Sequence, residues 1–189
     1  MTTLGALMGL FFLSGTLGAL PAHAVAPMAL VVPNYTVTLT AYNAVKAQTD
    51  NDPLVTASGV YSNPEIVAAR SRDLADELPF GTIIEIDATD ASKEACGYDI
   101  VAPIVGYRVI ADTMNPRYTD RIDILFSTKS NYTLKDGRVK NAGMVLGICN
   151  GVTIRVVGHI DLTNPKQLPK TQAELARIVR GDDNALALK

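Results

Sequence analysis

Two aspartates inside apolar, strand-length segments constrain this chain more than any other feature. Asp112 lies near the end of the segment VGYRVIADT and Asp123 lies within RIDILF, with a polar turn between the two segments. Strands are depleted in aspartate, and burying an unpaired carboxylate costs on the order of several kcal/mol unless the group is protonated or has a partner. We therefore expect two strands that bring a pair of carboxylates into one site.

A carboxylate pair suits general acid–base chemistry. An aspartic acid whose pKa is raised by apolar walls and by a like charge stays protonated near neutral pH and donates a proton to a leaving oxygen, as glycosidic cleavage requires. Ile122 and Ile124 flank Asp123 and provide candidate walls. The structural alternatives are that Asp112 caps the following turn and that Asp123 holds a polar contact only. Asp120, on the polar turn, is expected to be solvated.

Short apolar or alternating segments recur along the chain and predict an all-β fold. Alternation at period two indicates half-buried strands, and closing six short strands into a small barrel removes exposed sheet edges. The polar segment 89–98 is interpreted as a loop, and Pro103 as an edge or a break in its strand. The expected strands are 35–42, 65–70, 82–88, 100–113, 121–128 and one or two within 144–161.

Two short helical elements are also expected. Ser71 is the N-cap candidate of a single turn that Pro79 ends. Near the C terminus, Thr171 is the N-cap candidate, Glu174 its capping-box partner and Gly181 the left-handed residue that follows the helix. This small amphipathic helix either packs on the barrel or frays.

The first 24 residues differ in kind from the rest of the chain. An apolar run ends at an A-x-A site at 22–24, which predicts a signal peptide at 1–24, although its start lacks Lys and Arg. An uncleaved anchor is the alternative, but the run is short for a bilayer span of ~20 residues. The predicted mature chain is secreted or periplasmic, at the cell envelope, without stable membrane insertion. Its predicted parts are a lead-in at 25–34, a barrel domain at 35–162, and a helix with a tail at 163–189.

Charge and cysteine content exclude several classes of function. The chain carries 17 basic and 19 acidic residues without a basic stripe, which argues against nucleic acid as a partner. Cys96 and Cys149 are its two cysteines, and an exported chain is expected to pair them; two buried free thiols are the alternative. Together with His159 they lack metal-ligand spacing, so we predict neither a metal nor a cofactor.

The segment DTMNPRYTDRIDILF resembles the 3D domain, which is named for three aspartates. The family signature is an aspartate followed by T/V-G-G-x-I-K-G-x-R-I-D, and its interval of eleven positions separates Asp112 from Asp123 here. Upstream, TAY at 40–42 and TASG at 56–59 are similar to the family's opening strand and glycine turn. ELPFGTIIEI at 77–86 is similar to a segment of this family and of rare lipoprotein A-like proteins. The resemblance covers roughly 35–157.

The resemblance implies a double-psi β-barrel and work on the cell wall. With the strands and the helix predicted above, the expected fold is a six-stranded double-psi β-barrel with a short C-terminal helix. Members include resuscitation-factor-like muralytic proteins and the catalytic barrel of lytic transglycosylase A. By carry-over, Asp123 protonates the glycosidic oxygen of peptidoglycan and then accepts the proton of the C6 hydroxyl, leaving a 1,6-anhydro product. Asp112 would orient Asp123 and raise its pKa. The third aspartate is Asp73, with Asp76 as a rival, because the spacing is offset by one residue.

The resemblance also implies a substrate groove. The candidate substrate-binding residues are Tyr42, Thr56, Ser58, Thr113, Asn115 and Arg121. We expect the Arg121 side chain to point to the strand face opposite Asp123 and to serve the barrel rim. One departure matters for this groove: the glycine pairs of the family turn are replaced by Met114-Asn115 and Tyr118-Thr119, which narrows or reshapes it.

Three functions remain open from the sequence. The first is a peptidoglycan lytic transglycosylase with glycan strands as its partner. The second is a non-catalytic cell-wall or glycan-binding barrel, which the missing glycines and the absence of Trp favour. The third is hydrolysis of another β-glucan, because one fold hosts several activities; such barrels often carry many cysteines, whereas this chain has two. The sequence does not give an oligomeric state.

Overall fold

The computed structural model describes residues 32–165 and 168–181. The predicted signal peptide at 1–24, most of the lead-in at 25–34 and the tail after residue 181 lie outside the described residues, so these assignments stay predictions. Within the described ranges, no helix has the length and apolar character needed to cross a membrane.

Six of the strands close into a barrel. The barrel order is β1-β5-β2-β4-β3-β8, while β6 and β7 form a separate two-stranded hairpin. The pairs β1–β5 and β2–β4 are parallel and the other four pairs are antiparallel. This closed mixed barrel confirms the predicted fold class and is compatible with a double-psi barrel. The strands are β1 Asn34–Asn43, β2 Val67–Arg70, β3 Thr82–Asp87, β4 Arg108–Thr113, β5 Arg121–Phe126, β6 Asn131–Thr133, β7 Val139–Asn141 and β8 Cys149–His159.

The barrel interior is an apolar core to which all six strands contribute. On β5, Ile122 and Ile124 belong to this core and are fully buried, while Leu125 belongs to a second buried cluster on the outside of the barrel. Alternation along β5 therefore places Asp123 on the outer face, between two inward-pointing isoleucines. Burial of the isoleucine pair fixes the register of β5, since a slip of one residue would put the carboxylate in the core.

Three short helices cover the barrel where the sequence predicted loop or strand. They are α1 Asp90–Glu94, α2 Tyr98–Val105 and α3 Ala142–Leu146. The prediction of a loop at 89–98 was wrong because Thr89 caps α1, its hydroxyl accepting a hydrogen bond from the Ser92 N–H at 3.3 Å. The prediction of strand from residue 100 was wrong because Tyr98, Val101 and Val105 are buried at helical spacing.

The prediction for the two cysteines is confirmed, and the prediction that Ser71 acts as an N-cap through its side chain is not. Cys96, just after α1, forms a disulfide with Cys149 at the start of β8. A single 3₁₀ turn, Arg72–Leu74, follows Ser71, but the Ser71 hydroxyl does not cap it. That hydroxyl instead accepts a hydrogen bond from the backbone N–H of Arg121 at 3.0 Å and so holds the start of β5.

The C-terminal helix packs on the barrel, which was one of the two predicted alternatives; the other was that it frays. Helix α4 spans Gln172–Arg180, with the Thr171 hydroxyl accepting from the Glu174 N–H at 3.2 Å and Gly181 left-handed at φ 73°. The Glu174 carboxylate accepts from the N–H of Lys170 at 2.5 Å, one residue before the expected capping-box donor. Leu175 is fully buried in the outer cluster, which explains why this short helix is held in place.

A buried arginine joins α2 to the barrel. Arg108, the first residue of β4, is 1% exposed, and its guanidinium donates to the carbonyls of Ile104 and Val105 at 2.5 and 2.6 Å. It also donates to the carbonyls of Pro64 at 2.7 Å and Leu125 at 3.2 Å. Burial lowers the pKa of Arg108 to about 9, which leaves the side chain charged at neutral pH. The cation thus satisfies the last carbonyls of α2, the negative end of that helix.

Replacing Arg108 tests how far the fold depends on this buried cation. We expect Arg108→Met to lower the free energy of unfolding by about 3 kcal/mol or more, because several buried carbonyls lose their donor. The matched control is Arg155→Met, which removes an exposed ion pair with Glu85 (N–O distance 2.9 Å) and should cost less than about 1 kcal/mol. Urea unfolding measures both; equal losses in the two variants would contradict this role of Arg108.

Candidate functional site

The candidate site is built on one row of residues that crosses four neighbouring strands. Thr40 on β1 pairs with Asp123 on β5, Asp123 pairs with Ala69 on β2, and Ala69 pairs with Asp112 on β4. Since neighbouring strands lie about 4.8 Å apart, the backbones of Asp112 and Asp123 are roughly 10 Å apart. The small side chain of Ala69 leaves the space between the two carboxylates open.

A β-bulge puts Asp112 on the same face as Asp123. Ala68 pairs with Ile110, but the next residue of β2, Ala69, pairs with Asp112, so that β4 has one extra residue at Ala111. Strict alternation would place Asp112 on the same face as Ile110, in the barrel core. The extra residue shifts it to the outer face, which is what bulges commonly do next to functional sites.

Asp123 lies in surroundings that favour its protonated form. Burial is the main cause that raises the pKa of Asp123 to about 6, and the Asp112 carboxylate adds a smaller contribution in the same direction. A hydrogen bond from the Thr40 hydroxyl to Oδ1 (2.8 Å) and the charge of Arg121 oppose the rise. Among the described residues, no hydrogen bond reaches Oδ2 of Asp123. Asp123, which is among the residues that line the groove, therefore has one oxygen fixed by the protein and one without a hydrogen-bond donor in the described part of the chain.

Both carboxylate oxygens of Asp112, by contrast, accept hydrogen bonds from the protein. The Tyr42 hydroxyl donates to its Oδ2 at 2.8 Å, and the backbone N–H groups of Ala57 and Thr113 donate to its Oδ1 at 2.9 Å each. Burial and then the Asp112 charge raise the pKa of Tyr42 well above its usual value, so Tyr42 remains a donor. The two aspartates thus differ in their surroundings: Asp112 accepts three hydrogen bonds from the protein, whereas Asp123 accepts one and has a raised pKa.

A groove of about 720 Å³ opens over these aspartates. Ala69 and the two carboxylates form part of its lining, and the loop 47–50 after β1 lies along it. Thr113 at the end of β4, the following turn residues 114–118 and Arg72 contribute further lining. Among the described residues, no group of three His, Cys, Asp or Glu side chains has the arrangement of a metal site.

The structure brings together five of the residues singled out in the sequence. Asp123, Asp112, Tyr42, Thr113 and Asn115 all line the groove. The assignment of roles to them remains a prediction, but their convergence is a property of the fold: they come from β1, β4, β5 and one turn.

The other four predicted site residues, Asp73, Thr56, Ser58 and Arg121, do not line the groove. Asp73 accepts a hydrogen bond from the backbone N–H of Asp120 at 2.8 Å, where the chain takes a positive φ of 49°. The Thr56 hydroxyl bonds to the Ser58 hydroxyl (3.0 Å) and to the Val60 carbonyl (3.0 Å), which shapes the loop. These side chains hold the backbone that surrounds the groove. The rival third aspartate, Asp76, does not line the groove either.

The prediction for the direction of Arg121 was wrong. Arg121 and Asp123 are two positions apart on β5, so alternation puts both on the outer face. The Arg121 charge reaches Asp123 closely enough to lower its pKa. Its guanidinium lies 4.7 Å from the centre of the Tyr118 ring, so the residue supports the turn rather than lining the groove.

Sequence reasoning missed three groups of the site. Thr40 could have been predicted from the sequence, because it lies two positions from Tyr42 on an alternating strand and therefore shares its face. The backbone N–H of Ala57 could not have been predicted, because a backbone donor is independent of the side-chain pattern in the sequence. Arg72 reaches the groove from the 3₁₀ turn after β2, a position that depends on the closed barrel.

Comparisons with known proteins do not assign the chain to a family. A scan against protein-family models and a search of curated proteins found no match to the chain.

The raised pKa of Asp123 predicts a pH-dependent stability difference. A raised carboxyl pKa contributes stability that is complete below about pH 4 and is lost as the pH rises through about 6. Above pH 6 the folded protein holds a poorly solvated charge, which Asp123→Asn removes while keeping an acceptor for Thr40. We expect the variant to exceed the wild type by about 1–3 kcal/mol at pH 7.5 and to match it near pH 4.

Urea unfolding at the two pH values measures this difference. Asp120→Asn is the matched control, because Asp120 is exposed and asparagine tolerates its positive φ; it should change stability by less than about 0.5 kcal/mol at both. If Asp123→Asn is less stable than the wild type at pH 7.5, the result would contradict the raised pKa of Asp123.

Proposed function

We propose that the protein is an exported peptidoglycan lytic transglycosylase of the 3D-domain, rare lipoprotein A-like kind. The observation that carries this proposal is the contrast between the two aspartates. Asp123 has a pKa raised to about 6 and an oxygen that accepts no hydrogen bond in the described part of the chain, while Asp112 is held by three protein donors. Two carboxyl groups with separated roles are the arrangement that glycosidic cleavage uses.

In the proposed reaction, protonated Asp123 donates its proton to the glycosidic oxygen. The bond between that oxygen and C1 of the muramoyl sugar breaks, and the sugar passes through an oxocarbenium-like state. The Asp123 carboxylate then accepts the proton of the C6 hydroxyl as the C6 oxygen bonds to C1. The product is a 1,6-anhydro sugar, no water enters the reaction, and Asp123 returns to its protonated form.

Asp112 acts on charge and on position in this proposal. It does not transfer a proton, because three donors hold its oxygens. Its negative charge, about two strand spacings from Asp123, favours positive charge on the sugar ring between them. Thr40 fixes the Asp123 carboxyl through Oδ1 at 2.8 Å, which directs Oδ2 to the substrate.

Product analysis tests this function. We expect the protein to release soluble 1,6-anhydro-muropeptides from purified sacculi, detected by mass spectrometry, and Asp123→Asn to lower that release about 100-fold or more, as loss of a general acid does. Asp120→Asn is the control and should retain full release. Because Asp123→Asn is expected to fold at least as stably as the wild type at neutral pH, its loss of release would report on chemistry; full release by this variant would contradict the proposal.

One observation favours a second function, a non-catalytic glycan-binding barrel. The three donors on Asp112 form a satisfied polar network, which stabilises a fold without any reaction. On this alternative, the wild type and Asp123→Asn sediment equally with sacculi and neither releases product. Release by the wild type alone, or failure of both to sediment, would exclude it.

A further inference from the structure

The lining of the groove includes two cationic side chains and an aromatic one, Arg72, Arg117 and Tyr118, which together are called the arginine wall. Neither guanidinium forms an ion pair with a carboxylate in the part of the chain that the structure describes. Both residues are exposed. Their donors are therefore available to a molecule that enters the groove.

The turn that carries Arg117 is pre-organised. Pro116 occupies the second position of a turn closed by the Tyr118 N–H to the Asn115 carbonyl at 3.1 Å. The side-chain oxygen of Asn115 accepts from the backbone N–H of Arg117, also at 3.1 Å. Binding to this wall therefore orders little additional backbone, which lowers the entropic cost of holding a ligand.

Tyr118 fixes the arginine side chain as well as its backbone. The guanidinium of Arg117 lies 4.7 Å from the centre of the ring and donates to its hydroxyl at 2.7 Å. Arg121 lies at the same distance from the ring, 4.7 Å. Two cations against one ring hold Tyr118 in place. A guanidinium has five N–H donors, so Arg117 keeps most of them for a ligand.

We propose that Arg72 and Arg117, with Tyr118, bind a carboxylate carried by the glycan strand. The inference rests on the proposed function, because it takes the groove to be the glycan site. Planar guanidinium groups match a carboxylate with paired hydrogen bonds. The Asp112 carboxylate in the floor of the groove repels an anion, so the carboxylate of the ligand is bound at the arginine wall. One anionic group at the wall sets the position of the strand across the floor.

Peptidoglycan can present such a carboxylate from two sources. One is borne by the sugar, as the lactyl group of muramic acid when no peptide is attached. The other is borne by the peptide on that lactyl group. Both sources offer the same chemistry to the arginines, and a comparison of strands with and without peptides distinguishes them.

Binding measured in the Asp123→Asn background tests the inference without cleavage. The probes are soluble glycan strands with peptides and without them, each native and after amidation of its carboxyl groups with methylamine. We expect amidation to weaken binding about 10-fold or more for at least one kind of strand, as loss of a charged hydrogen-bonded pair does. The strand that responds identifies the source of the carboxylate.

Substitution then connects the effect to the wall. Adding Arg72→Gln and Arg117→Gln should weaken binding of the responsive native strand to the level of the amidated strand and abolish the effect of amidation. The matched control, Arg138→Gln, lies on the β6–β7 hairpin beside Asp136 and outside the groove lining; it should leave the amidation effect intact. An unchanged effect in the double variant, an equal loss in the control, or no effect of amidation overturns the inference.

Two readouts separate this inference from the proposed function. Charge-dependent binding with no anhydro product from the unsubstituted protein would support the carboxylate site and contradict the transglycosylase. Release of anhydro product together with binding that amidation does not change would support the transglycosylase and contradict the carboxylate site. Absence of binding to every strand overturns the inference.

Discussion

One extra residue in β4 decides which side chains share the groove. Ala111 shifts the register between β2 and β4, so Asp112 leaves the face of Ile110 and joins the face of Asp123. The hydrogen bond from Tyr42 to Asp112 exists only on that face. The bulge is held from both sides of the sheet, because Ile110 is buried in the barrel core and Ala111 in the outer cluster.

Strand β4 also anchors the rest of the barrel. It begins at the buried cation Arg108, which joins α2, the loop at Pro64 and β5 through backbone carbonyls. Its last residue but one is Asp112, which bears the carboxylate. Each charge is stabilised by hydrogen bonds suited to its sign, so one short strand bears two charges that an apolar interior would otherwise exclude. The site is therefore continuous with the interactions that hold the fold.

Periodicity predicted the strands well, and it failed where a local irregularity or a helix intervened. The alternating β1 and the apolar RIDILF segment reveal strands because half-buried sheets impose period two. Nothing in the sequence marks the bulge at Ala111, which depends on β2 as its partner. Likewise, the apolar residues of α2 fit a buried strand as readily as a helix. The row that joins Thr40, Asp123 and Asp112 requires the barrel order, which strand periodicity does not contain.

The most direct test of this account is the pH dependence of anhydro-muropeptide release. In the proposed reaction Asp123 must be protonated to donate, and burial raises its pKa to about 6. The account predicts that the rate of release on sacculi falls as the pH rises through about 6. A rate that is flat from pH 5 to about 8, or products that end in a reducing sugar instead of a 1,6-anhydro ring, would contradict it.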